Sequence, residues 1–363
     1  MEGEPDQKPA AAGEDGRPGS EVLLDEWIAP EMADESGLLR AGKILEWMDV
    51  VGVLAATRHC RAPVVTASVD GLELLDPVRV GDKVTLTATV GYTSPRSIGV
   101  SVSMRHGPPE SAAAPKSLTG YMTFVALDGE GRAQRVPRFR PETPAELARF
   151  HEGELRREFR KKLLAGELPA LEDRSAGSQG NGEKKLFIGD LLAMLPRSLR
   201  LPFDLAGPPR PRSRHPSYVH KIEPIRAGKL NFHGTLYGGT LMRWIETSAQ
   251  LSARAYLRGA PVRLVGLHGL TFIRPVTRHV FVHIRSIVAH TAPDSLTVLI
   301  DVLAEDPVAG KQVETLRAFL TYAPIDEARA RVWPLECAGE EEVRIFEEIG
   351  HRLSLQRTLR SRG

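Results

Sequence analysis

Gly42-Lys43-Ile44-Leu45-Glu46-Trp47-Met48-Asp49 returns 197 residues later as Gly239-Thr240-Leu241-Met242-Arg243-Trp244-Ile245-Glu246. Each stretch opens on glycine, carries Trp at its sixth place and ends on an acid. Downstream landmarks keep step one residue further on: Pro77/Pro275, Thr93/Thr291, Pro95/Pro293, Ser97/Ser295 and Thr123/Thr321. Self-similarity at one long period means one fold used twice. A repeat of about 200 residues is long enough for each copy to own a core.

Outward from Asp49 the text is helical. Ile44, Leu45, Trp47, Met48, Val50, Val51, Val53, Leu54, Ala55 and Ala56 leave no polar face, which predicts a helix over 42–60 buried on all sides. Arg58 and His59 suit its C-terminus. Gly52 is a mid-helix cost of about 1 kcal/mol, tolerable where another backbone packs close. Strand-like text follows at 64–69 and 72–75, then a turn at Asp76-Pro77 and a tight turn at 80–83. Alternation at 84–90, 97–104 and 118–126 predicts further strands. One long buried helix followed by antiparallel strands is an α+β unit with the helix lying on the sheet. Copy two repeats the pattern, with a helix from Gly239 to about Leu257 and strands at 264–273, 280–288, 296–303 and 314–322. The expected organisation is a polar tail at 1–20 and a first domain at 21–135. A charged helix (142–164) and a Gly-, Pro- and Ser-rich linker, with a short apolar piece at 186–195, fill 136–216. A second domain at 217–327 and a helical tail at 328–363 complete the chain.

Bulk properties exclude several classes. Lys and Arg (48) nearly cancel Asp and Glu (46), so no global field calls for nucleic acid or an acidic membrane. Aromatic residues are sparse, which argues against a base-stacking surface. Cys60 and Cys337 make neither a disulfide framework nor a zinc site and fit a reducing compartment. No apolar run reaches the roughly 18 residues of a membrane span, and the N-terminus lacks a signal core. The expectation is a cytoplasmic protein without a metal or cofactor. No P-loop, dinucleotide fingerprint or Gly-x-Ser-x-Gly elbow appears.

Asp49 stands among Trp47, Met48, Val50 and Val51. A buried carboxylate without partners costs several kcal/mol or neutralises, so Asp49 is paired, protonated or functional. Glu246 at the equivalent place favours function. Gly238-Gly239 and Gly42 precede or open the two helices, where first-turn N–H groups lack intrahelical partners and suit an anion or a developing oxyanion. Asn231 to Tyr237, which includes His233 and Thr235, leads into the second helix; its polar groups suit water placement or ordinary turn chemistry. Arg58, Arg61 and Arg96, with Ser97 beside the last, are candidate phosphate contacts, or scattered surface residues.

These motifs in register resemble the hotdog-fold acyl-CoA thioesterases. The residues that carry the resemblance are the Gly-initiated helix with its acid, Val65 to Asp70, Leu74 to Asp82, Tyr92 to Ser97, and Asn231 to Glu246. They cover roughly 35–127 and 217–325, and the doubled pattern is similar to the tandem cytoplasmic enzymes of that family. The resemblance implies two hotdog domains, each a curved antiparallel sheet wrapped on one helix. It implies hydrolysis of acyl-CoA to an acid and CoA, with a composite site and Asp49 as the acid. Thr235 stands at the loop position where relatives usually carry Asn, and the Gly239 N–H is expected to polarise the thioester carbonyl. Asn231, Gly238, Arg58, Arg96 and Ser97 are expected substrate contacts. The converse site, Glu246 with Gly42, pairs with Leu38, which cannot hold a water, and is expected to be inactive. A homo-oligomer such as a trimer of double hotdogs is the family habit. The rival functions are a non-catalytic acyl-CoA-binding protein, which Thr235 favours, and a hotdog dehydratase or hydratase using His233 and Glu246.

Overall fold

The computed structural model describes residues 21–108, 116–164, 217–231 and 233–325, with scattered positions between 332 and 353. The expected N-terminal tail, most of the linker with its apolar piece, and most of the C-terminal tail lie outside the described residues. Of the last, 343, 345–347, 349, 350 and 353 are helical. The chain divides into two compact units. One holds the residues up to Arg140 together with Tyr237–Arg243; the other holds Pro141–Leu236 and Trp244 onward.

In the first unit β1 (Val22–Trp27) precedes α1 (Ala41–Cys60), followed by β2 (Val64–Leu74), β3 (Lys83–Thr93), β4 (Ser97–Gly107) and β5 (Lys116–Ala126). The strands pair antiparallel in the order β1-β3-β4-β5-β2. The alternation of β3 and β4 is complete: Val84, Leu86, Ala88 and Val90, then Ile98, Val100, Val102 and Met104, all face inward with no exposed area. α1 lies against this face with Ile44, Leu45, Met48, Val51 and Ala55. At about 1.5–3 kcal/mol per buried large aliphatic side chain, this helix–sheet contact is the main favourable term of the unit. The two strand-like stretches at 64–69 and 72–75 are one strand, because Gly71 at φ +64° and a register shift between Asp70 and Glu73 carry the chain through.

Three expectations change. α1 is not buried all round, since Val50 and Leu54 are 45% and 47% exposed, one turn apart. What approaches Gly52 is the Phe124 ring rather than a backbone: a Cβ there would lie 2.6 Å from Phe124 Cζ. β1 adds a strand that periodicity does not announce. It is an edge strand whose Asp25 receives Lys83 Nζ at 2.9 Å, so charge replaces alternation.

The second unit repeats the plan with β6 (Val219–Pro224), α3 (Gly238–Tyr256, its first turn counted with the first unit), β7 (Val262–Phe272), β8 (Phe281–Thr291), β9 (Leu296–Asp306) and β10 (Lys311–Pro324). Its strand order is β6-β8-β9-β10-β7, all antiparallel. Met242, Ile245, Ala249 and Ala253 of α3 are fully buried, as are the inward side chains of β8 to β10. The charged text at 142–164 forms α2 (Pro144–Leu164). Each unit is thus the sheet-on-one-helix arrangement that the hotdog resemblance implied.

Candidate active site

Asp49 sits at the middle of α1, 3% exposed, and two donors hold its carboxylate. The Thr66 hydroxyl, on β2, donates to Oδ1 at 2.6 Å. The backbone N–H of Gly239 donates to Oδ2 at 2.7 Å. Gly239 is in the first turn of α3, where N–H groups have no intrahelical acceptor, so Asp49 acts as an N-terminal cap from a distant part of the sequence. The positive end of the helix favours the anion there.

Burial pushes the Asp49 carboxyl above its usual range, while Thr66 and Gly239 pull it back and the Glu46 charge adds a further lift. Glu46 itself is engaged by Lys43 at 3.1 Å and faces Arg243 at 3.7 Å. A basic, sheltered carboxylate held in one orientation is suited to accept a proton from water.

The glycines serve this contact. A Cβ at Gly238 would lie 3.0 Å from both Asp49 Oδ1 and Thr66 Oγ1. A Cβ at Gly239 would lie 3.0 Å from Asp49 Cβ and 3.1 Å from Glu46 Cα. From sequence, these positions are expected to stay bare for a substrate, with the Gly239 N–H facing a thioester carbonyl. In the structure it is Asp49 that fills the space and receives that N–H.

The loop before α3 is organised by Asn231. Its Oδ1 accepts from the N–H groups of His233 (3.0 Å) and Thr235 (3.1 Å), and its Nδ2 donates to Thr235 Oγ1 at 2.8 Å. Asp34 does the same work in the first unit, accepting from Ser36 N and Leu38 N. Thr235 is therefore tied to Asn231 and stands four residues before Gly239.

Other expected residues are placed elsewhere. Arg58 is near the end of α1, about 13 Å along the axis from Asp49, and donates to the Glu21 carbonyl. Arg96 is exposed in the β3–β4 turn, and the Ser97 hydroxyl bonds that of Ser94 at 2.6 Å, closing the turn. Gly42 is buried in the first turn of α1. Glu246 is as buried as Asp49, but the Tyr322 hydroxyl donates to its backbone carbonyl (3.2 Å) and to its Oε1 (3.3 Å). Burial and the neighbouring Glu246 push the Tyr322 hydroxyl well above the usual range, so it stays a donor.

Thr66 is the participant that sequence reasoning missed. A signal existed, since the repeat puts Leu264 at its counterpart. A hydroxyl present in one copy and absent from the other marks an asymmetry worth reading.

The sequence matches the thioesterase superfamily over residues 37–113 and again over 233–311. An uncharacterised acyl-CoA thioester hydrolase of Bacillus subtilis is 35% identical over 133 residues, covering 35% of this chain and 74% of that protein. The cytosolic acyl coenzyme A thioester hydrolase of Homo sapiens is 32% identical over 136 residues, 37% of this chain and 36% of its own length. The acetyl-coenzyme A thioesterase of Rattus norvegicus is 28% identical over 311 residues, 85% of this chain and 51% of its own. The chain thus spans between about a third and a half of the length of these two longer relatives.

Proposed function

The chain belongs to the thioesterase superfamily, and we propose that it hydrolyses acyl-CoA thioesters with Asp49 as the general base. The observation that carries the proposal is the Asp49 carboxylate: buried, more basic than usual, and fixed by Thr66 and Gly239. Asp49 takes a proton from a water, whose oxygen adds to the thioester carbon. The tetrahedral intermediate then expels CoA as thiolate, which takes a proton back. Both carboxylate oxygens already accept hydrogen bonds shorter than 2.8 Å, which favours the base over direct nucleophilic attack. Asn231 and Thr235 enter by fixing the loop that delivers Gly239. The reaction draws on no cofactor beyond the CoA of the substrate.

The dehydratase reading needs Glu246 as its acid, and the Tyr322 hydroxyl is already on that carboxylate. A homo-oligomer, a trimer of double hotdogs, belongs to the same proposal. The exposed Val50–Leu54 pair on α1 supports it as an apolar strip for a second copy to cover. A cytoplasmic setting is supported by the free thiols of Cys60 and Cys337. No described helix is long and apolar enough to cross a membrane.

The test is release of free CoA, followed with a thiol reagent, from acetyl-, hexanoyl- and palmitoyl-CoA. Turnover in the wild type that disappears in Asp49→Asn, with the fold intact, is expected. Saturable acyl-CoA binding without turnover would replace the hydrolase with a binding protein.

A further inference from the structure

Two glycines of the first unit define the ground beside Asp49. Gly52 follows Asp49 by three residues on α1, so both lie on one side of the helix. The Cβ that Gly52 lacks would meet Phe124 Cζ at 2.6 Å, Phe124 Cε2 at 3.0 Å and Met122 Sδ at 3.4 Å. The Cβ that Gly120 lacks, on β5, would meet Met48 Cε at 2.6 Å. Each glycine makes a recess, and the tip of one large side chain fills it. Phe124 is the β5 partner of Thr66 on β2, and Thr66 donates to Asp49. Phe124 over Gly52 and Met48 over Gly120 thus flank Asp49, with Thr66 beside Phe124. The second unit has alanine at both places, Ala249 and Ala318, with Tyr322 and Ile245 for the two side chains.

Resting on the hydrolase reading above, we propose that Phe124 and Met48 form the end wall of the acyl subsite and restrict this chain to short acyl groups. The thioester carbon must come within about 3–3.5 Å of the attacking oxygen, so the first acyl carbons lie beside Asp49. The nucleotide end of CoA is charged and stays in water, which leaves the apolar acyl group to the apolar side of the carboxylate. On that side of the first unit lies the Phe124 ring, fully buried, opposite Ile98 on β4 and beside Met122 at Gly52. A long chain has to displace it. Met48 gives way cheaply, as a side chain with three rotatable bonds. Phe124 is held by Gly52 behind and close-packed neighbours beside it, so it sets the stop.

The experiment compares kcat/KM for acetyl-, hexanoyl- and palmitoyl-CoA in wild type, Phe124→Ala, Phe124→Leu and Met48→Ala. The readout is the ratio between chain lengths within one protein, which does not depend on the fraction folded. The wild type is expected to favour acetyl- over palmitoyl-CoA by about tenfold or more, since a buried ring must move for the longer chain. Phe124→Ala should shift the hexanoyl/acetyl ratio upward by about tenfold, with Phe124→Leu and Met48→Ala in the same direction and smaller. If Phe124→Ala is too unstable to assay, the Leu and Met48 variants decide by the same ratio. Wild-type turnover with no preference for the short chain, or ratios unchanged in the variants, would overturn the wall and leave the hydrolase standing. No turnover on any chain length would overturn the hydrolase reading itself.

Discussion

Asp49 and Glu246 occupy one position in two copies of a fold, and their surroundings differ by what reaches them. Asp49 is held by a strand hydroxyl and by the N–H of Gly239, nearly two hundred residues away in sequence. Glu246 is held by Tyr322, a residue of its own sheet. The counterpart of Tyr322 is Phe124, which has no hydroxyl to offer. One oxygen atom on β10 thus occupies the acid of the second unit internally, and its absence on β5 leaves the first acid to other donors. Duplication supplied two acids, and the sheet beneath each helix gives each a different hydrogen-bond partner.

The largest effect follows from removing the deployed acid. Asp49→Asn should lower CoA release by roughly 10²- to 10⁴-fold, the usual range for a general base. It should also stabilise the fold at neutral pH. The folded-state pKa of Asp49 is raised, so the charged form is penalised above that pKa and unpenalised below the unfolded value. Thermal melts should therefore show the variant ahead of wild type at neutral pH, with the gap closing in acid. A variant less stable than wild type at neutral pH would mean that its hydrogen bonds outweigh the cost of burial.

The outer faces of the two sheets differ as sharply as the acids do. In the second unit Arg285, Asp301 and Arg317 stand opposite one another across β8, β9 and β10, all at least nine-tenths buried. Asp301 accepts from Arg285 Nη2 at 2.7 Å and lies 3.7 Å from Arg317 Nη2. The corresponding row of the first unit is Thr87, Ser103 and Thr119. Asp301→Ala takes the carboxylate at 2.7 Å from the buried Arg285, while Arg317 keeps Glu314 at 3.4 Å, and should cost about 3–5 kcal/mol in urea unfolding. Ser103→Ala should stay within about 0.5 kcal/mol. Equal costs would erase the distinction between the faces.

A smaller change makes the second unit like the first. Tyr322→Phe strips one donor from Glu246 and should cost about 1–3 kcal/mol, the price of a weakened buried polar group. Thioesterase turnover should hold, because the Tyr322 hydroxyl bonds Glu246 and not Asp49. A fall in turnover at unchanged stability would show that Glu246 contributes to catalysis after all.

Much of this was legible before any coordinates. The helix at 42–60, the main strands and the doubling are written in periodicity, and Asp49 is conspicuous as an acid in apolar text. The edge strands β1 and β6 were not legible, because each pairs on one side only and carries charge where alternation would be. The Arg285–Asp301–Arg317 row reads as ordinary solvent-facing alternation, since burial of a sheet's second face depends on what covers it. Ile345 and Ile349 do so for Ile287, Leu299 and Phe319 nearby. The partners of Asp49 escaped for a related reason. Thr66 is seventeen residues away and Gly239 far more, so their meeting is a property of packing, not of local pattern. Arg58, Arg96 and Ser97 are attractive residue types whose local contacts are a carbonyl, an exposed turn and a neighbouring hydroxyl.

Thr66 offers the finest test, because Leu264 already shows the other copy without it. Thr66→Val keeps the shape and removes the donor to Asp49 Oδ1. That hydrogen bond pulls the carboxyl pKa down against burial, so its loss leaves the pKa higher. A base works only when ionised, and the acidic limb of kcat/KM should move to higher pH. Below the limb the variant should be slower, and on the alkaline plateau the two rates should converge. Thr66→Ser should restore the wild-type limb. A uniform loss at every pH would instead mean that Thr66 fixes the orientation of Asp49 rather than its basicity. The first acid would then depend on position more than on pKa for its difference from Glu246.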